Sequence, residues 1–337
     1  MDLSAGLASD RESVLSQPPD IEFWAENLLF ALHDPAADIG MWLHLGTVPT
    51  DWPTWEDRVL ISLPEDEGVL TMWAYHRTDP ARRPAGANLS FECVEPFRRW
   101  RVAFDGFCLR TPYEQMRTSL VRDGEKVACS VELDIECAIP VWDAHAAAED
   151  ETGQGSMTGQ GWATEHYEQL YRATGTVRLP DREVAFNGTG WRDHSRGPRG
   201  GGTGAPWGGH VILGCLFGSG RAFGLSRYWT PDGEISLEGG YVVLDGRRHQ
   251  ARVIDVPRLN ELVRSGEQVP IGLEWAGGSL SLTATTTTSM WLTMGPGLPY
   301  GVTPGWPGPT YVLNFGDCEW DGETASIYLE RSDPIEV

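Results

Sequence analysis

Residues 162–199 read WATEHYEQLYRATGTVRLPDREVAFNGTGWRDHSRGPR, and the rest of the chain is best read outward from them. The stretch gathers His166, Tyr167, Glu168, Trp191, Arg192, Asp193, His194 and Arg199 into two clusters joined by strand-like sequence. In HYEQLY a period of two sends His166, Glu168 and Leu170 to one strand face and Tyr167, Gln169 and Tyr171 to the other. His166 and Glu168 therefore share an environment. On a barrel's inner face they would carry an imidazole and a carboxylate into apolar space, which is costly unless they bind or react with something; on the outer face they would be solvated.

The second cluster, WRDHSRGPR, places an acid at a strand end beside an aromatic. Apolar walls there can raise the carboxyl pKa of Asp193, so that it holds a proton near neutral pH and delivers it to a substrate. Arg192 and Arg199 oppose this, because a guanidinium within ~4–6 Å would keep Asp193 ionised. An Asp–Arg pair or an Asp side chain capping the turn is the purely structural alternative.

Outward from this stretch the pattern is β. Runs such as Met41–Leu45, Arg58–Leu63, Val69–Tyr75, Trp100–Phe107 and Val127–Ile139 precede it; His210–Phe217, Ala222–Trp229, Ser279–Met294 and Tyr311–Trp320 follow it. Two blocks of antiparallel strands meet near residue 190, which places the signature cluster at their junction, where pockets preferentially form. Short helices are expected at Ile21–His33, from Trp24, Leu28 and Ala31, and at Pro257–Ser265. Ala144–Gly161 reads as a long flexible loop and residues 1–20 as a disordered leader. The expected division is 21–189 and 190–337.

Composition fits an all-β chain of two domains. Its 337 residues are long for one core; 40 Gly, 23 Pro and 15 Trp point to many tight turns and large aromatics. Forty-eight acids against 26 bases give a formal net charge of −22, which disfavours nucleic acid and anionic membrane surfaces as partners. A neutral or apolar small molecule is the more natural one. Cys93, Cys108, Cys129, Cys137, Cys215 and Cys318 are scattered without a CxxC and are expected to be reduced, buried thiols. No apolar run reaches the ~18 residues of a membrane span and no signal peptide opens the chain, so a cytoplasmic location is expected. The oligomeric state is left open.

Several chemistries lack support. There is no HxH, HxxxH or paired-Cys spacing for a metal. Gly197–Gly204 lacks the Lys–Ser/Thr ending of a phosphate loop, and Ser195 sits in no nucleophile elbow. No cofactor is expected. Tryptophans, among them Trp42, Trp162, Trp207, Trp229, Trp291 and Trp306, could line a cavity for an apolar or cationic guest.

HYEQ followed after a strand pair by GTGWRDHSRGPR resembles the superfamily of tandem lipocalin-like proteins that includes carotenoid 1,2-hydratases, AttH-like proteins, terpenoid cyclases and Diels-Alderases. FWAENLLFALHDPAADIGMWLHLG near the start is similar to its bacterial members. The resemblance implies two lipocalin-like β-barrel or sandwich domains in tandem with few short helices. In the hydratases an Asp of this motif is the proton donor to an isoprenoid double bond, with an aromatic two positions earlier and a His on a preceding strand; matched here, these are Asp193, Trp191 and His166. Glu168 stands where the hydratases carry an aromatic and adds a second carboxylate.

The resulting expectation is a cofactor-independent acid–base enzyme that protonates an alkene of an apolar isoprenoid-type substrate, leading to hydration or cyclisation. Asp193, His166, Glu168 and Trp191 are the candidate catalytic residues. Tyr167, Arg192, His194, Trp207, Trp229 and Trp291 are the candidate substrate-binding residues. A pericyclase and a non-catalytic carrier of an apolar ligand are the alternatives.

Overall fold

The computed structural model describes residues 2–158, 160, 162–199, 208–293, 300–303, 305 and 308–335. The first half contains β1 (Trp24–Asp34), β2 (Ile39–Val48), β3 (Asp51–Ser62), β4 (Val69–Arg77), β5 (Leu89–Glu95), β6 (Arg99–Thr111) and β7 (Glu125–Cys137). There follow two short strands, β8 (Trp142–Asp143) and β9 (Gln154–Gly155), and then the long hairpin of β10 (Glu165–Leu179) and β11 (Arg182–Pro198). The second half contains β12 (Gly209–Leu216), β13 (Ala222–Trp229), β14 (Ile235–Leu244) and β15 (Arg247–Asp255). It ends with β16 (Gln268–Trp275), β17 (Gly278–Thr293), β18 (Thr310–Trp320) and β19 (Glu323–Asp333).

Each half closes on itself. In the first, the antiparallel order β11-β1-β2-β3-β4-β6-β7-β10 is completed by the β10–β11 ladder; in the second, β13-β12-β19-β18-β17-β16-β15-β14 is completed by β13–β14. Closure removes the exposed sheet edges. The fold is the expected all-β pair of lipocalin-like barrels.

Three cores follow from strand alternation. Leu28, Phe30, Leu43 and Trp100 fill the first barrel, and Leu213, Phe223, Ile271 and Leu329 the second. The third joins the outer faces of both: Leu29, Trp42, Leu170 and Trp191 from the first barrel meet Ile212, Tyr241 and Tyr328 from the second. Each large apolar side chain so buried contributes ~1.5–3 kcal/mol relative to exposure. The barrels are therefore cemented along one side of each.

That third core explains the departures from the expected elements. The segment expected as a helix from Ile21 is strand β1, buried along almost its whole length because even positions enter the barrel and odd positions face the second barrel. Burial on both faces erases the polar alternation by which a strand is recognised. Within the expected flexible loop, Ala144–Glu149 is a helix whose Ala144 and Ala147 enter the shared core, and β9 pairs with β14. Pro257–Ser265 is irregular rather than helical; Leu259 and Leu262 are buried in the same core.

The expected leader is packed rather than disordered. Glu12 is buried, and Leu3 joins the first barrel's core. The expected change of domain at 189/190 falls inside β11, which pairs with β1 and β10 as far as Pro198, so the whole signature motif belongs to the first barrel. All six cysteines are unbonded, and all but Cys93 are buried. No helix among the described residues is long and apolar enough to cross a membrane.

Candidate active site

The β10–β11 ladder sets Glu168 opposite Asp193, His166 opposite Ser195 and Leu170 opposite Trp191. These six residues share one face, and it is the outer face of the first barrel. It is nevertheless not solvated, because the second barrel packs over it. GTG at 188–190 permits the close approach on the other side: a Cβ on Gly188 would meet the His33 carbonyl oxygen at 2.2 Å, and one on Gly190 the Ala31 carbonyl oxygen at 2.4 Å.

Glu168 is wholly buried and fully engaged. Its Oε1 receives the Ser226 hydroxyl at 2.8 Å and lies 2.9 Å from His166 Nε2, while Oε2 accepts from Trp191 Nε1 at 3.0 Å. It fixes the imidazole through Nε2 and turns Nδ1 toward Asp193, whose Oδ2 is 3.7 Å away. Burial disfavours the imidazolium, but the hydrogen bond with Glu168, the charge of Asp193 once that group ionises and the charge of Glu168 outweigh it and raise the His166 pKa. This is the arrangement of a carboxylate orienting a histidine that serves a third group.

Asp193 is the third group. Its side chain is 16% exposed, and burial raises its carboxyl to about 7; Glu330 and Glu168 push the same way, while His166 and Arg199 oppose. Arg192 does not compete for it, since it lies on the opposite strand face. Arg199 donates instead to Ser195 Oγ at 2.7 Å.

Asp193 and His166 open into a cavity of about 470 Å³ between the barrels. The first barrel contributes Leu29, Trp42, His44 and Trp162 to its wall; the second contributes His210, Ile212, Tyr228, Leu292, Tyr311 and Glu330. Trp162 stacks on Tyr228 at 5.0 Å and Trp42 on His44 at 5.3 Å. Burial, with the charges of Arg58 and Arg199, depresses His44 far below its usual range. Glu330 is held by His210 Nε2 at 3.1 Å, the Tyr328 hydroxyl at 2.6 Å and Trp42 Nε1 at 3.3 Å. Burial opposes its ionisation, but these bonds prevail and lower its pKa. One wall thus presents a carboxyl poised near neutrality, and the other a carboxylate locked ionised.

The remaining sequence candidates lie elsewhere. Tyr167, Arg192 and His194 point into the first barrel, one residue out of phase with the cavity. There Arg192 Nη2 holds Glu12 at 2.9 and 3.0 Å, the Tyr167 hydroxyl lies 2.7 Å from Glu12 Oε1 and from His194 Nδ1, and His194 Nε2 is 2.7 Å from Glu26. They plug the barrel and do not line the cavity. Trp229 belongs to the second barrel's interior and Trp291 to the shared core. Trp207 and Trp306 lie outside the described residues. Trp191 sits behind the site, anchoring Glu168 and stacking on Tyr328 at 5.5 Å, so it shields no space within the cavity.

His210, Tyr228, Tyr311 and Glu330 were missed. The signal for Glu330 was available: in IYLERSD, Tyr328, Glu330 and Ser332 alternate with Ile327 and Leu329, giving a polar and aromatic face on an otherwise core strand.

Two closed barrels in tandem, joined by a cavity between their outer faces, make up the tandem lipocalin-like fold. Solved structures bear this out: a putative AttH from Nitrosomonas europaea matches with a TM-score of 0.56 at 11% identity over 92% of each chain. CghA with Sch210972 matches at 0.59 and 10% identity over 93% of this chain and 89% of that one, and kievitone hydratase from Nectria haematococca at 0.51 and 8% over 92% and 89%. The chain belongs to the family described as Domain of unknown function (DUF7064), whose model matches residues 10–275. No curated protein sequence matches it significantly.

Proposed function

We propose that the protein is an acid–base enzyme that protonates an alkene of an apolar, isoprenoid-like substrate bound between the barrels. The observation that carries this reading is the carboxyl of Asp193, raised to about 7 by burial and facing an aromatic-walled cavity beside His166. A structural carboxyl would be paired or solvated; one kept neutral near pH 7 is suited to give up a proton.

Asp193 transfers its proton to one alkene carbon; the π electrons form the new C–H bond and leave a cation on the other carbon. The faces of Trp42, Trp162 and Tyr228 can stabilise that cation by about 0.5–2 kcal/mol each. The Asp193 carboxylate left behind is held by His166, which Glu168 keeps in orientation. Capture by water gives an alcohol, and capture by an internal alkene or hydroxyl gives a ring; in either case the proton released restores Asp193. The fold is one that also carries a hydratase.

The test is a panel of linear and prenylated isoprenoids incubated with wild type and Asp193→Asn and analysed by mass spectrometry. A product heavier by one water, or an isomer, formed only by the wild type supports the reading. Equal turnover by Asp193→Asn contradicts it and favours a pericyclic reaction in which the cavity alone folds a polyene.

A further inference from the structure

Arg199 stands in the cavity wall, and the proton transfer leaves it unused. Four arginines elsewhere in the two barrels each hold a carboxylate: Arg192 with Glu12, Arg196 with Glu26, Arg227 with Glu238 and Arg331 with Glu267. Arg199 holds none among the described residues. Its hydrogen-bond partners are neutral: Ser195 Oγ accepts from Nη2 at 2.7 Å, and Asn27, with its amide oxygen turned to the guanidinium, accepts from Nε at 3.1 Å and Nη2 at 2.6 Å. The Trp162 ring lies 5.9 Å away. These contacts fix the guanidinium plane and leave Nη1 without a protein acceptor among the described residues.

A cation drawn into a protein without a directly paired anion is costly, and burial pulls Arg199 down to about 10, with only the more distant Asp193 opposing among the acids. Arg58 also lines the cavity but is paired with Glu56 at 2.7 Å, whereas Arg199 has no such pair among the described residues. We propose that Arg199 is an anion subsite, and that the cavity's ligand is amphipathic, an apolar body ending in a carboxylate or similarly acidic oxygen that accepts from Nη1. This rests on the reading of the cavity as an apolar-substrate site and names the missing end of that substrate. The body lies against Trp42, Trp162 and Tyr228. A bound anion also cancels the positive charge that draws Asp193 toward ionisation, so the acid is best protonated when the substrate is seated. Because the protein carries a formal charge of −22, long-range attraction cannot bring an anion here, and the apolar body must supply part of the affinity.

Farnesoic acid and farnesol share one carbon skeleton and differ at the end group. Their binding is measured by tryptophan fluorescence with wild type and Arg199→Gln at pH 8, and with wild type alone at a pH low enough to protonate the probe. The expected result is a preference of wild type for the acid of at least about tenfold, equivalent to about 1.4 kcal/mol. That preference should vanish in Arg199→Gln, with farnesol affinity retained, and should fade in wild type at low pH. Equal binding of both probes by wild type, or a preference that survives in Arg199→Gln or at low pH, overturns the subsite and leaves the apolar-substrate reading standing. Binding of neither probe overturns both.

Discussion

Glu168 on the first barrel accepts a hydrogen bond from Ser226 on the second at 2.8 Å, with both residues buried. The carboxylate that orients His166 is thus anchored by the opposite domain, and the acid–base group is complete only when the barrels are docked. Ser226→Ala leaves one lone pair of a buried carboxylate unserved. The expected loss is about 1–3 kcal/mol of stability in chemical denaturation, with a several-fold fall in kcat and little change in ligand affinity. An unchanged kcat would separate Glu168 from the chemistry.

Removing the acid should all but abolish turnover while leaving the folded structure intact. Asp193→Asn keeps shape and hydrogen-bonding capacity but has no proton to give, and general acid catalysis is worth roughly 10²–10⁴-fold. A loss in that range, with unaltered ligand binding by fluorescence, is expected.

The same substitution should stabilise the protein in alkaline solution. Asp193 rises from 3.8 in the unfolded chain to about 7 in the folded one. Between those values the folded state holds a proton that the unfolded state has lost, so stability falls as pH rises through the window and the loss is complete above about 7. The roughly 3-unit difference bounds the effect at about 4 kcal/mol. Thermal denaturation should show Asp193→Asn more stable than wild type at pH 8 and equal to it near pH 4. A gain that does not depend on pH would place its cause elsewhere.

Glu12 and Arg192 form a buried pair inside the first barrel, both about 1% exposed. Glu12→Ala strands the Arg192 charge, and breaking a buried pair from one side costs about 3–5 kcal/mol. Asp51→Ala, which removes the partner of the exposed Arg77, should cost about 1 kcal/mol or less. Denaturation midpoints of the two variants check the contrast, and similar values would mean that the N-terminal segment is not the plug described.

The architecture was legible because strand-length runs and turn residues recur throughout, and the β10–β11 hairpin could be read from HYEQLY and GTGWRDH. His166 and Asp193 were found for the same reason: alternation puts both on one face. Alternation also tells Tyr167, Arg192 and His194 apart from them, and proximity in sequence overrode it. The location of the site between barrels was not legible. The choice between an inward, apolar face and an outward, solvated one omitted the third case, an outer face covered by another domain. β1 was misread as a helix for that reason too, and Glu12 was hidden in a polar segment whose partner lies 180 residues on.

Asp193 acts as a neutral acid near pH 7 only if it keeps its proton there, and infrared difference spectroscopy of wild type against Asp193→Asn reads that protonation directly. Wild type at pH 6 should show the C=O stretch of one buried carboxylic acid, absent from the variant and replaced by a carboxylate band as pH rises through about 7. A carboxylate band from Asp193 already present at pH 5 would contradict it, and the proton donor would have to be sought elsewhere in the cavity.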